Sequence, residues 1–209
     1  MTSSDTAFRP FSKIPRFFRE ITVTEKLDGT NGQIFIAHQP DHPEADDSGF
    51  IVLAGSRNRY LTPEGLGSKG CDNFGFAAWV QLHREELKEG LGEGRHFGEW
   101  YGSGIQRGYG LTEKRFALFN TQRWTGVVRD GSTVETATEP PACCEVVPVL
   151  YRGQMLSSVT IRAHLTQLEE QGSVAVPGYM KPEGLIIYHH AADSVFKVTF
   201  DGDGPKGGN

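Results

Sequence analysis

Strand-type and helix-type segments do not alternate along this chain, and that order constrains the fold more than any other feature of the sequence. A β-branched run, "ITVT", opens at Ile21; a glycine-bearing break separates it from "GQIFIA"; "FIVLAGS" follows the polar, proline-containing connection "QPDHPEADDSG". Apolar runs bounded by such breaks predict strands joined on a hairpin scale. The stretch "NFGFAAWVQLHREELKEG", with Asp72 as N-cap and apolar residues at Phe74, Ala77, Ala78, Leu82 and Leu87, predicts one amphipathic helix. Two aromatic strand candidates, "RHFGEWYG" and "RFALFNTQRW", flank the glycine-rich "GSGIQRGYG". A second helix is predicted from Ser158 to Gln171, with Ile161, Leu165 and Leu168 at helical spacing, and "EGLIIYHH" and "VFKVTF" read as two closing strands. Helices that arrive between groups of strands predict an α+β fold of mainly antiparallel β-sheets with flanking helices.

The 209 residues suit one domain, expected over 21–200, after an aromatic arm (1–20) carrying Arg9, Lys13, Arg16 and Arg19. The glycine-rich end, 201–209, reads as a disordered tail. A net charge of -5 argues against a coat of basic surface for indiscriminate nucleic-acid binding, though a local basic groove is compatible with it. Cys71, Cys143 and Cys144 form neither a CxxC pair nor a disulfide framework and are expected as buried thiols. No apolar run approaches the roughly 20 residues that span a bilayer, and the first segment lacks a secretory apolar region. A cytoplasmic protein with no membrane partner is the expectation.

The sharpest local feature is "EKLDGTNG", Glu25 to Gly32, between two predicted strands. A lysine there is either a solvated charge or a nucleophile, and a nucleophile has to shed its proton, which burial or nearby positive charge favours. Gly29 and Gly32 permit a sharp turn and close approach to a ligand, and Asn31 offers a short amide. Downstream, Arg57 and Arg59 stand in a turn after a strand, each able to pair with phosphate; Arg57 is the favoured one. Glu99 lies in an aromatic strand, where a carboxylate needs a hydrogen-bonded partner. Phe119 sits in an apolar strand, and Glu183 opens another with hard oxygens suited to Mg²⁺. Lys197 lies between Phe196 and Val198, so it points either inward or to solvent. Two apparent motifs fail: "GLGSKG" lacks phosphate-loop spacing, and His189 and His190, adjacent on a strand, face opposite sides.

"EKLDG" matches the KxDG motif of the covalent nucleotidyltransferases: DNA ligases, RNA ligases and mRNA capping enzymes. With "GTN" after it, the sequence resembles the ATP-dependent RNA ligases of the nick-sealing RNA ligase 2 branch. "SRNR", "FGEWYGSGIQ", "FALFN", "EGLIIY" and "FKVTF" follow in that family's order, from Glu25 to Phe200.

The resemblance implies the ligase catalytic-core fold and a reaction using ATP with Mg²⁺, or Mn²⁺ in its place. Lys26 would carry AMP, pass it to a 5′-phosphate, and a 3′-hydroxyl would then displace it. It also implies a cofactor-binding set of Glu25, Lys26, Leu27, Asn31, Arg57, Glu99, Phe119, Glu183 and Lys197. Within that set Glu99 would hold the ribose, Phe119 stack on adenine and Glu183 hold the metal; Lys26 and Lys197 are the catalytic pair. The partner would be RNA, as a nicked duplex or broken strand ends, or DNA. Two departures stand out: Thr199 occupies the place of a usual second lysine, and "GSGIQRGYG" lacks the acidic residue usual before its last Tyr-Gly. With little sequence after the fifth motif, a core without a C-terminal OB domain is expected. The rival readings are a DNA ligase or other covalent nucleotidyltransferase, and a non-catalytic nucleotide- or RNA-binding module.

Overall fold

The computed structural model describes residue 8 and residues 10–64, 70–124, 139–154 and 157–202. Arg9, the lysine of "GLGSKG" and most of the expected tail lie outside the described residues.

The predicted strands form two sheets, except that of the candidate "RFALFNTQRW" only the first half is strand and Thr121–Trp124 is a turn of helix. A four-stranded sheet has the order β7 (Val149–Gly153), β1 (Ile21–Lys26), β8 (Gly184–His189), β9 (Ser194–Thr199). The other has the order β3 (Phe50–Gly55), β2 (Thr30–His38), β4 (Gly94–Gly102), β5 (Lys114–Leu118), β6 (Cys144–Val146). Every pairing is antiparallel except β5 with β6. The short β6 and β7 had no clear sequence signal, because three to five residues are too few for a period to show. The expected α+β class therefore stands.

Helices cover the outer faces. Against the five-stranded sheet, α1 (Phe76–Leu82) and α2 (Arg84–Leu91) bury Phe76, Ala77, Val80, Leu87 and Leu91 among Ile34, Ile36 and Phe116. On the four-stranded sheet, α4 (Ser158–Gln171) packs Ile161, Leu165 and Leu168 over Ile21, Val23, Leu185 and Ile187. Its cap is as the sequence chemistry requires, since Ser157 Oγ accepts the Thr160 N–H at 3.1 Å. A four-residue turn of helix, α3 (Thr121–Trp124), follows β5.

The single helix expected from Asp72 is in fact two, and it starts later. Asn73, Phe74 and Gly75 all have positive φ, so helical geometry begins only at Phe76, and the chain breaks again at His83. Asp72 still serves this terminus from a distance, its Oδ1 accepting the Ala78 N–H at 3.0 Å. The late start rotates the buried face: Phe74, Ala78 and Leu82 are exposed, Leu82 by 79%.

Gly32 and Gly98 lie opposite each other on β2 and β4. A Cβ on Gly32 would sit 2.7 Å from the Phe76 ring, and one on Gly98 2.7 Å from Phe116. These glycines make room for core rings beneath the sheet. Gly29 is similar, with a Cβ landing 2.4 Å from the Trp100 carbonyl oxygen. The close approach foreseen at Gly29 and Gly32 is thus to the protein's own core and backbone. Gly32→Ala is expected to overpack this layer and destabilise by about 1–3 kcal/mol. The check is a urea unfolding curve whose midpoint falls at unchanged slope.

Candidate active site

Alternation along β1 decides what faces what. Ile21, Val23 and Glu25 point toward α4 and the strand neighbours beneath it, so Thr22, Thr24 and Lys26 point the other way, into a groove between the two sheets. The groove has a volume of about 1320 Å³.

Glu25 is 1% exposed and its carboxylate is fully engaged. Oε1 accepts from the Ser173 hydroxyl at 2.6 Å, and Oε2 accepts the Val174 and Ala175 N–H groups at 2.8 and 3.0 Å. Its carboxylate is therefore engaged by Ser173, Val174 and Ala175, although Glu25 is among the residues that line the groove. Leu27, just after β1, is buried with Tyr101, Tyr109, Ala117 and Val147, which fastens the end of β1 to the five-stranded sheet.

Lys26 Nζ donates to Glu183 Oε2 at 2.5 Å, and both side chains are about one-fifth exposed or less. Glu183 immediately precedes β8, whose pairing with β1 sets Gly184 opposite Lys26. From the facing sheet come Asn31 and Glu99, paired across β2 and β4. Asn31 Nδ2 donates to Glu99 Oε2 at 3.2 Å, while Arg57 Nε donates to Asn31 Oδ1 at 2.9 Å. The result is a chain of hydrogen bonds, Arg57 to Asn31 to Glu99, along one wall. Arg59 turns away and donates to the Gly70 carbonyl at 2.9 Å, so geometry separates the two candidate arginines.

Burial pushes the Glu99 carboxyl up to about 7; Lys26 and the Gly29 amide pull it down, and Glu183 and Asp28 raise it further. The carboxylates of Asp28, Glu99 and Glu183 line the groove together with the cationic Lys26, Arg57, Arg95, Arg123 and Lys197. Carboxylate oxygens are hard donors of the kind a divalent cation such as Mg²⁺ or Mn²⁺ takes.

Phe119 lies just past β5 rather than within it and is 41% exposed toward the groove, its N–H bonded to the Phe97 carbonyl. Lys197 pairs with Ile186 on β8 and shares its groove-facing side, so it points inward. Thr199, on the same side of β9, bonds its hydroxyl to the Gly202 carbonyl at 3.1 Å. His189 and His190 diverge as expected: His189 is buried against the Phe17 carbonyl, and His190 lines the groove beside Thr22.

Sequence reasoning assigned no task to Asp28, Arg107 or Tyr109. Arg107 Nε donates to Asp28 Oδ2 at 2.9 Å and its other arm reaches Asp201 at 2.8 Å. The Asp28 N–H donates to the Tyr109 hydroxyl at 2.8 Å. The glycine-rich "GSGIQRGYG" therefore clamps the loop after Lys26. A loop has no residue period from which its side-chain directions could have been read.

The groove's residues invite comparison with known proteins. A sequence model of the family described as RNA ligase matches residues 19–199. Three solved structures of Naegleria gruberi RNA ligase variants resemble the fold. Two contain AMP and Mn, with TM-scores of 0.55 and 0.53, each 18% identical and covering 88% of this chain and 51% of that one. An apo variant gives 0.53 at 17% identity, covering 88% and 50%. The chain thus spans about half the length of the solved ligases it matches. Comparison with curated proteins gave no match.

The raised Glu99 carboxyl makes a signed prediction. A folded-state value above the ordinary 4.5 gives stability that is present below about 4.5 and lost as pH rises through about 7. Glu99→Gln removes that dependence, so its unfolding free energy should be flatter than wild type between about pH 5 and 8. Parallel pH profiles for the two proteins would disprove the assignment.

Proposed function

We propose that this chain, which belongs to the RNA ligase family, is the adenylyltransferase core of an ATP-dependent RNA ligase that joins 5′-phosphate and 3′-hydroxyl ends. The observation that carries the reading is the Lys26–Glu183 contact at 2.5 Å inside a groove also lined by Arg57, Glu99, Phe119 and Lys197.

Each group has a task that its position supports. ATP lies with adenine against Phe119 and ribose hydroxyls on Glu99. Lys26 Nζ gives its proton toward the Glu183 carboxylate and attacks the α-phosphorus; the N–P bond forms as the bond to pyrophosphate breaks. Lys197 and Arg57 place fixed positive charge beside the phosphate oxygens, and Arg57 arrives already oriented by Asn31. Glu183 would hold Mg²⁺ or Mn²⁺, which would supply further charge neutralisation there. AMP then passes to the 5′-phosphate of an RNA strand, and a 3′-hydroxyl displaces it. The groove exceeds the roughly 300–1000 Å³ of ordinary small-molecule sites, which leaves room for a strand end beside the nucleotide. RNA as partner follows the family. No described helix is long and apolar enough to cross a membrane. An ATP-consuming reaction on RNA fits a cytoplasmic setting.

The test is joining of a 5′-phosphorylated nick with RNA or DNA on the 3′-hydroxyl side, with ATP and Mg²⁺. Sealing that prefers RNA and is lost in Lys26→Ala supports the reading; equal or better sealing with DNA favours a DNA ligase, and no joining or AMP transfer sinks both. Phe119→Ala should raise KM for ATP about tenfold, as expected for losing one stacking contact. Arg57→Ala should slow AMP transfer on the order of a hundredfold.

A further inference from the structure

Away from the groove, at the break between α1 and α2, three side chains of different chemistry converge. His83 Nδ1, a Glu86 carboxylate oxygen and Cys143 Sγ lie within 4.8 Å of one another. None of the three lines the groove. His83 and Glu86 are three residues apart at the start of α2, the spacing that puts two helical side chains side by side. Cys143 comes from the segment entering β6, 57 residues beyond Glu86 in sequence.

We propose that His83, Glu86 and Cys143 form a binding site for a borderline divalent cation of the Zn²⁺ type, which ties α2 to the chain entering β6. The donor set is one imidazole nitrogen, one carboxylate oxygen and one thiolate, which suits Zn²⁺ and is foreign to Mg²⁺ or Ca²⁺. The spacing agrees. In a tetrahedral site with Zn–N and Zn–O bonds of about 2.0–2.2 Å, neighbouring ligands stand roughly 3.3–3.5 Å apart. His83 Nδ1 and Glu86 Oε2 are 3.2 Å apart.

The surroundings hold the ligands in place. The Trp79 ring packs on the His83 imidazole with centroids 5.0 Å apart. The Cys143 N–H donates to Glu86 Oε1 at 2.8 Å, which orients the carboxylate and leaves Oε2 for a cation. Pro141 packs against Gly90 so tightly that a Cβ there would be 2.6 Å from its ring, fixing the Cys143 segment on α2. An ordinary helix pair accounts for His83 and Glu86; the Cys143 thiol, brought from a distant part of the chain, hydrogen-bonds the Glu86 carboxylate and lies within reach of both. Cys144, whose sulfur is 3.9 Å from that of Cys143, belongs to the buried core and stays outside the set. His83 and Glu86 keep side-chain exposures of 29% and 39%, so water completes the fourth position.

The test uses the full chain, freed of metal with a chelator and titrated with Zn²⁺ and, as a spectroscopic probe, Co²⁺. Expected are one equivalent bound, the intense visible bands of tetrahedral Co²⁺, and a near-ultraviolet thiolate charge-transfer band that persists in Cys71→Ser. Cys143→Ser should lose that band, and His83→Gln should weaken Zn²⁺ binding on the order of tenfold or more. Weak octahedral bands without a thiolate band in the wild type would overturn the proposal whatever the variants do. So would unchanged Zn²⁺ affinity in a folded Cys143→Ser or His83→Gln.

Discussion

One buried carboxylate sets the geometry from which the groove is built. Glu25 is almost without solvent and accepts three hydrogen bonds from Ser173, Val174 and Ala175. A buried charge is tolerable only when its lone pairs are met, so these bonds fix which face of β1 Glu25 occupies. Because side chains alternate on a strand, fixing Glu25 on the α4 side places Lys26 in the groove. A slip of one residue would bury the lysine and expose the carboxylate to the facing sheet.

The remaining parts of the site follow from pairing. β8 beside β1 brings Glu183 to Lys26, and β9 beside β8 brings Lys197 to the same face. On the other sheet, the Asn31–Glu99 pair and the Arg57 hydrogen bond make a wall with polar groups already aligned. The cluster of Leu27, Tyr101, Tyr109, Ala117 and Val147 fastens the end of β1 to the five-stranded sheet. Arg107, bridging Asp28 and Asp201, ties the loop after Lys26 to the chain after β9. Positioning is thus shared among strands that are far apart in sequence, and each is held by its own backbone ladder.

What could be read beforehand tracks where a residue period exists. The strands around Lys26, Glu99 and Lys197 and the helix from Ser158 carry periods long enough to read, and the structure has them. Of the helix expected from Asp72, Ala77 and Leu87 are buried but Phe74, Ala78 and Leu82 are exposed, because three successive positive-φ residues delay its start, a backbone event no apolar pattern encodes. Glu25 entered the candidate set through its motif, yet its side chain serves a turn 148 residues away. Arg107 and Tyr109 escaped notice because glycine-rich loops have no alternation. Arg57 and Arg59 differ by two residues in one turn, and only their hydrogen bonds distinguish them.

The central claim is that Lys26, and no other side chain, is the group brought into the groove to accept AMP. It is tested most directly by incubating the full chain with ATP and Mg²⁺, digesting under conditions that preserve phosphoramidates, and mapping the adenylated peptide by tandem mass spectrometry. Adenylate on Lys26 is the predicted result; adenylate on Lys197 or on another residue, with Lys26 unmodified, would contradict the account.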